Sequence, residues 1–186
     1  LVTQKAMVVS ARIEASIIGK QILEQGGNAF DAMMATDLAL AVAYPYAGNL
    51  GGGGFMVYRL NDGSIGALDY REKAPLAATK DMYLDSLGNV VPNLSTRGAM
   101  AVGVPGTVAG VFEAHEQFGI LPIETIIKPV IALAKRGVIV TRKQEFRIAE
   151  KQQDFKLANK DSILFTKAWK QNDTIKYNKL AETLTR

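Results

Sequence analysis

The chain has 186 residues, 48% of them hydrophobic, and no cysteine, which excludes an extensively disordered protein, disulfides, thiol catalysis and cysteine-ligated metals. The formal charge of +4 belongs to the end of the chain, because residues 1–140 carry 11 basic and 12 acidic side chains whereas residues 141–186 carry 11 and 6. These later charges are interleaved with acids and amides rather than gathered with aromatic residues, which favours a solvated helical surface over nucleic-acid binding.

The first part of the chain predicts a strand followed by two helices. Met7–Val9 is a short apolar run typical of a strand. Helical spacing then links the apolar residues Ala11, Ala15, Ile18 and Ile22. We expect Asn28 to cap a second helix over residues 29–43, with Asp31 near the positive end of the helix dipole. This second helix is apolar on almost every side, which predicts burial, and is too short to span a bilayer.

The segment from Tyr44 to Pro75 carries the clearest pattern. The run Gly51–Gly54 has no side chains, which permits positive φ and the close approach of another backbone or a ligand. An apolar stretch, a turn at Asn61–Gly63 and a second apolar stretch follow, and they predict a β-hairpin whose first strand, residues 55–60, is largely buried. The glycine run precedes a strand and lacks the ending of a P-loop, so close packing is favoured over phosphate binding.

Arg71 stands where the second strand of this hairpin ends. Its neighbours include Asp69 and Glu72, and Pro75 then prevents further ladder hydrogen bonds. A guanidinium donates two parallel hydrogen bonds to a carboxylate, so Arg71 suits the recognition of a carboxylate ligand. The residues alone leave two interpretations open: an ion pair with a neighbouring acid, or an anchor for a substrate carboxylate.

The remainder of the chain predicts a polar connection over residues 79–97, a short strand at Val102–Val104, and then helices. Pro105-Gly106-Thr107 begins one helix, with an expected apolar face of Val108, Val111, Phe112 and His115. Pro122 begins the next helix, which carries Ile126, Ile127, Val130, Leu133 and Ala134. After residue 140 the composition becomes polar and Lys-rich, which favours further helices and marks a change of subdomain.

Two other groups of polar residues have weak claims to be sites. His115 is the only histidine and falls on an apolar helical face, which favours a packed histidine over a general base. Asp81, Asp85 and Asn89 have a spacing loosely like that of a calcium loop, but the required glycine and terminal glutamate are absent. We therefore expect no metal and no cofactor.

Four ordered segments resemble the large-subunit half of γ-glutamyltransferases, also called γ-glutamyltranspeptidases or glutathione hydrolases. They are ILEQGGNAFDA, GNLGGGGFMVYRL, ALDYREKAP, and GVPGTVAG followed by EQFGILP. The resemblance extends from about Met7 to Val140 and is strongest to the bacterial enzymes. It implies an α+β fold, the αββα sandwich of N-terminal nucleophile hydrolases. Residues 1–140 would form its N-terminal portion, and residues 141–186 a helical, Lys-rich segment of the same large subunit.

The resemblance also implies a chemistry. In this family a precursor cuts itself into a large and a small subunit, and the new N-terminal threonine of the small subunit attacks a γ-glutamyl amide such as that of glutathione. The acyl-enzyme then passes the γ-glutamyl group to water, an amino acid or a peptide. The position matching the family's arginine that holds the substrate α-carboxylate is Arg71. Family likeness further implies a periplasmic or secreted protein, and the residues themselves predict no cofactor, metal or nucleic-acid partner.

This sequence departs from the family pattern in one respect. It contains no Thr-Thr or Thr-His segment of the kind that carries the nucleophile, and Thr107 resembles a helix start rather than a catalytic residue. We therefore expect the chain to be the N-terminal part of a large subunit, with no catalytic residue of its own and inactive by itself. Two alternatives stay open: a related acylase or poly-γ-glutamate-processing enzyme, and a non-catalytic scaffold that retains the fold.

Overall fold

The computed structural model describes residue 3, residues 5–159 and residues 161–186, and it shows a mixture of helices and short strands. The helices are α1 (Ile13–Glu24), α2 (Ala29–Ala43), α3 (Thr107–Phe118), α4 (Ile123–Arg136), α5 (Arg142–Ala158) and α6 (Asn178–Thr185). The strands are β1 (Phe55–Arg59), β2 (Ile65–Asp69), β3 (Val138–Ile139) and β4 (Thr174–Ile175). This confirms the α+β class.

The chain divides into two compact units. The first contains the described residues up to Lys73 together with 104–138 and 176–186, and the second contains 74–103 and 139–175. These units differ from the sequence division at residue 140, because the chain leaves and re-enters each unit. The assignment of residues 1–140 to the sandwich and of 141–186 to a helical segment of the same large subunit stays a prediction.

The core of the first unit is helical. α2 packs against α1, α3 and α4, and α6 packs against α4. Large side chains with almost no exposed surface fill this core, namely Ile22, Met34, Val42, Ile126, Val130 and Leu133. The predicted spacing in α1 is confirmed for Ala15, Ile18 and Ile22, which are buried, but Ala11 precedes the helix and is exposed. Most of α2 is buried, as its apolar composition predicts. In α4 the predicted residues are buried except for Ile127, which is half-buried.

The start of α2 is fixed by its own first turn. Asn28 Oδ1 accepts hydrogen bonds from the N–H groups of Phe30 and Asp31, and Asp31 Oδ2 accepts one from the N–H of Asn28 at 2.9 Å. The predicted cap at Asn28 is confirmed, and the bond returned by Asp31 makes it a reciprocal capping box. In the described part of the chain, no helix has both the length and the apolar character that crossing a membrane requires.

The hairpin is antiparallel, with Phe55 opposite Asp69 and Arg59 opposite Ile65. The prediction of a hairpin is confirmed, but the prediction that β1 is largely buried is wrong. Met56 is buried, whereas Phe55 and Val57 are 64% and 82% exposed. The reason is the two-residue period of a strand: one face of β1 lies on the helices, and the side chains of the other face are mostly exposed.

Two further strand predictions are wrong. Met7–Val9 forms no strand, because no described segment pairs with it, and a lone strand leaves its backbone groups without partners. Val102–Val104 supplies one isolated bridge, in which Val104 and Lys73 exchange backbone hydrogen bonds of 3.1 and 2.7 Å. That bridge ties the exit of β2 to the start of α3.

The buried face of α3 also differs from the expected one. Val108 and Phe112 are 47% and 51% exposed, whereas Gly110 and Ala114 are buried together with Val111. Gly110 faces the hairpin, where a Cβ atom at this position would lie 2.6 Å from the Cβ of Tyr70, so a residue without a side chain allows the close approach. The apolar pattern therefore identifies Val111 correctly but is wrong for Val108 and Phe112.

The second unit contains α5, which begins with a capping box between Thr141 and Gln144. Within this unit, an ion pair of 3.2 Å joins Arg97 to Asp154. Elsewhere in the chain, β3 and β4 form a two-stranded sheet. The predicted helical character after residue 140 is confirmed for α5 and α6, although β4 and a stretch without α-helix separate them.

Candidate functional site

Three segments meet where β2 ends. Tyr70 and Gly54 exchange backbone hydrogen bonds of 3.0 and 3.3 Å, which extend the hairpin ladder by one pair beyond β2. The N–H groups of Gly106 and Thr107 both donate to the carbonyl oxygen of Gly52, at 2.8 and 3.0 Å. The glycine run, the strand end and the start of α3 therefore form one backbone-bonded junction around Arg71.

The glycine run is needed because the backbone at the end of the hairpin approaches it closely, not because its own torsion angles are unusual. A Cβ atom on Gly53 would lie 2.8 Å from both the Cα of Arg71 and the backbone nitrogen of Glu72, closer than real Cβ contacts. Among the described residues, positive φ at glycine occurs at positions 26, 63, 88, 98 and 137, so the run Gly51–Gly54 does not use the positive φ that glycine permits there. The close backbone packing that the sequence favours is confirmed.

Arg71 combines a fixed backbone with an exposed side chain. Its N–H donates to Asp69 Oδ1 at 2.9 Å, while its Nε lies 3.1 Å from Glu72 Oε2 and the side chain is 59% exposed. Its Cζ lies 5.7 Å from the centre of the Phe55 ring. The ion pair with a neighbouring acid is thus present, but an exposed pair is weak, and a carboxylate ligand can compete for the guanidinium.

Strand alternation explains this arrangement. Phe55 and Arg71 lie on the outer side of the hairpin, whereas Met56, Tyr58 and Tyr70 lie on the side that faces the helices. Tyr58 packs against the rings of Phe30 and Phe118 there, at centroid distances of 5.7 and 4.7 Å. The inner side chains attach the hairpin to the helical core, and the outer guanidinium is left accessible.

A cleft of about 680 Å³ lies beside the hairpin in the first unit. Its walls are residues 5–10, part of α2 that includes Asp37, and hairpin residues that include Phe55 and Tyr70. Burial raises the pKa of Asp37 above its ordinary value. Burial and then the charge of Asp37 raise the pKa of Tyr70, so its hydroxyl stays protonated at neutral pH. Arg71 is not among the described residues that line this cleft.

The other polar candidates have structural roles. His115 Nε2 lies 2.8 Å from the carbonyl oxygen of Leu121, which fixes the connection between α3 and α4 and fits the packed histidine that we predicted. Asp85 Oδ1 accepts the N–H groups of Leu87 and Asn89 within a turn. The described residues contain no cluster of three or more potential metal-ligating His, Cys, Asp or Glu side chains.

Sequence reasoning found Arg71 and the glycine run but missed three contributors to the site: Phe55, Gly106 and Gly110. The two glycines are four residues apart at the start of α3 and so lie on one face of that helix. That spacing was a usable sign of close packing against another element.

Comparison with known proteins gives consistent matches. The family model described as Gamma-glutamyltranspeptidase matches residues 15–186. A glutathione hydrolase proenzyme of Pseudomonas sp. (strain A14) is 44% identical over 185 residues, which is 97% of this chain and 32% of that protein. A glutathione hydrolase proenzyme of Pseudomonas aeruginosa is 53% identical over 135 residues, which is 73% of this chain and 23% of that protein.

Solved structures give the same result. The crystal structure of Helicobacter pylori γ-glutamyltranspeptidase superimposes with a TM-score of 0.91 at 41% identity, and covers 100% of this chain and 54% of that one. This likeness confirms the predicted N-terminal nucleophile hydrolase fold. The chain spans about a quarter to a third of the length of the curated relatives it matches.

Proposed function

Since this chain belongs to the γ-glutamyltranspeptidase family, we propose that it supplies the α-carboxylate anchor of an enzyme that transfers or hydrolyses γ-glutamyl groups. The observation that carries the proposal is the state of Arg71. Its backbone is held between the glycine run and the start of α3, while its guanidinium is accessible and has one weakly bound acidic neighbour. A rigidly placed, exposed guanidinium is suited to bidentate binding of a carboxylate.

The anchor has a definite task in the reaction. Binding the α-carboxylate selects donors that end in a γ-linked glutamate, such as glutathione, and holds the amide carbonyl in one place relative to the nucleophile. The nucleophile is a threonine outside these 186 residues, at the start of a small subunit released by self-cleavage of the same precursor. The word proenzyme in the names of the relatives supports such processing. The acyl group then passes to water, an amino acid or a peptide.

Glu72 orients the side chain of this anchor. Its carboxylate oxygen Oε2 lies 3.1 Å from Nε of Arg71, and a donor carboxylate would compete with it for the same guanidinium. Because the pair is exposed to solvent, breaking it costs little free energy. Glu72 therefore keeps Arg71 oriented without competing strongly with the substrate.

The test is Arg71→Gln in the processed two-subunit enzyme, with Arg59→Gln as the matched control on the outer side of the same hairpin. We expect Arg71→Gln to raise KM for glutathione by at least about 30-fold, because it removes roughly 2 to 4 kcal/mol of charged hydrogen bonding. Arg59→Gln should leave KM within about twofold. An unchanged KM in Arg71→Gln would remove this residue from the site. An enzyme acting on acyl groups without an α-carboxylate would show no such dependence.

We also propose, from family likeness, that the protein is exported to the periplasm or outside the cell. Fractionation of cells that express the complete gene tests this directly. Recovery of the processed enzyme in the cytoplasmic fraction alone would contradict it.

A further inference from the structure

The side chain that precedes the proposed anchor is held by three glycines. A Cβ atom on Gly54 would lie 2.7 Å from Cε2 of the Tyr70 ring and 3.0 Å from its hydroxyl oxygen. A Cβ atom on Gly110 would lie 2.6 Å from the Tyr70 Cβ and 2.7 Å from Cδ1, and one on Gly106 would lie 2.8 Å from the Tyr70 carbonyl carbon. Any side chain at these positions would have to displace Tyr70. We call this arrangement, Gly54, Gly106 and Gly110 around Tyr70, the glycine socket.

The glycine socket joins two elements that are far apart in sequence. Gly54 lies at the entrance of β1, and Gly106 and Gly110 lie at the start of α3. Tyr70 contacts both through its ring and its backbone, so the direction in which the chain leaves β2 depends on where this ring sits. Arg71 follows immediately, and its Cα is itself close to Gly53.

We infer that Tyr70 is the positioning residue of Arg71, acting through its ring in the glycine socket. This inference rests on the proposed function of Arg71 as the carboxylate anchor. The Tyr70 ring fixes the position of the Arg71 Cα, from which the guanidinium extends. The packing of Tyr70 on the inner side of the hairpin therefore sets the distance between the guanidinium and the donor carboxylate. Placing such a group wrongly by about 1 Å is enough to lower a rate on the order of a hundredfold.

The hydroxyl of Tyr70 is not part of this role. Among the described residues it has no hydrogen-bond partner. Tyr70 lines the cleft together with Asp37, whose charge acts on it, whereas Arg71 is not among the described residues that line that cleft. The conservative variant Tyr70→Phe keeps the ring and removes only the hydroxyl. It should therefore retain donor binding, whereas Tyr70→Leu, which empties part of the socket, should not.

The test compares two γ-glutamyl donors in the processed enzyme: one with a free α-carboxylate and its α-methyl ester. The ratio of their kcat/KM values measures how much the anchor contributes. We expect Tyr70→Leu to lower this ratio at least about tenfold and Tyr70→Phe to leave it within about twofold. Adding Tyr70→Leu to Arg71→Gln should change the ratio no further, because the ring acts only through the guanidinium.

A purely structural role for Tyr70 gives different results. It would lower kcat/KM equally for both donors, or add to the effect of Arg71→Gln, and either result overturns the inference. Equal damage from Tyr70→Phe and Tyr70→Leu would assign the role to the hydroxyl and would also overturn it. If Arg71→Gln itself leaves the ratio unchanged, the proposed function fails, which is distinct from a failure of Tyr70 alone.

A second variant covers the case in which Tyr70→Leu does not fold. Gly54→Ala keeps the tyrosine but places a methyl group against its ring, so it should lower the same donor ratio at least about fivefold. Unfolding midpoints of each variant show whether the fold is retained. A folded Gly54→Ala enzyme with the ratio of the unmodified enzyme would overturn the inference.

Discussion

The start of α2 and the exit of the hairpin each place a charged side chain at the end of an element, but the two charges have opposite fates. Asp31 is fully buried, and its carboxylate accepts N–H groups from Asn28 at 2.9 Å and from Ile120 at 3.2 Å. Arg71 is 59% exposed and has one weak acidic neighbour. A charge whose hydrogen bonds are all made inside the fold stabilises the structure, and a charge left in solvent on a rigid backbone is free to bind a ligand.

This contrast between Asp31 and Arg71 predicts that the largest effect of a substitution is the loss of stability at Asp31. Asp31→Ala leaves the N–H groups of Asn28 and Ile120 without their acceptor, and should lower the free energy of unfolding by about 2 to 4 kcal/mol. Urea denaturation measures this. The control is Glu24→Ala, which removes an exposed pair with Lys20 and should cost less than about 0.5 kcal/mol. Equal losses in the two variants would refute the contrast.

The next effect is expected in the glycine run. Gly53→Ala pushes a methyl group against Arg71 and Glu72, whereas Gly51→Ala meets nothing nearer than Asn49 Oδ1 at 4.0 Å. We expect Gly53→Ala to raise KM for the γ-glutamyl donor about tenfold or more, because it moves the backbone of the anchor. Gly51→Ala should leave it within about twofold. Steady-state kinetics of the two variants, measured in parallel, give the comparison. Equal KM values for Gly53→Ala and Gly51→Ala would contradict this prediction.

A smaller effect is expected at Phe55. Its ring lies 5.7 Å from Cζ of Arg71, and an exposed contact between a cation and an aromatic ring contributes about 0.5 to 1 kcal/mol. Phe55→Leu should therefore raise donor KM about two- to fivefold. Ile65→Val, which alters another exposed apolar residue of the same hairpin, serves as the control. No change in Phe55→Leu would show that the ring does not orient the guanidinium.

The last effect concerns the direction of a pH dependence. Burial raises the pKa of Asp37, so ionising this carboxyl destabilises the fold as pH rises from its ordinary value of 3.8 through the raised value. Asp37→Asn should be more stable than the unmodified chain at neutral pH, and the gain should vanish below pH 3.8. Urea unfolding at a series of pH values gives the comparison.

Asp62 supplies a control of opposite sign for that measurement. Hydrogen bonds from the Ser64 side chain and N–H lower its pKa, so its contribution is present above pH 3.8 and is lost as the pH falls through the lowered value. Asp62→Asn should therefore be less stable than the unmodified chain at neutral pH. If Asp37→Asn and Asp62→Asn changed the free energy of unfolding at neutral pH in the same direction, this contrast would be contradicted.

The two predictions of burial that the structure contradicts have a common cause. The positions of the apolar residues predict the buried face of α3, yet Gly110 lies on that face because the Tyr70 ring occupies the space that a side chain would fill. β1 was expected to be buried because its residues are apolar, yet Val57 is 82% exposed. In both cases the outcome depended on what another part of the chain places opposite, and a local pattern does not carry that information.

Family resemblance, rather than any local pattern, singled out Arg71 as the residue proposed to bind substrate. The sequence by itself determined the helices, the cap at Asn28 and the hairpin. Those features depend on interactions within a few residues, such as a turn, a cap or a regular spacing of apolar side chains. Only the tertiary structure decided which face of α3 is buried, why the glycine run is needed and how Arg71 is held in place. These depend on the approach of Gly106 and Gly110 to a strand end some 35 residues earlier, where exclusion of volume rather than local preference fixes the chain.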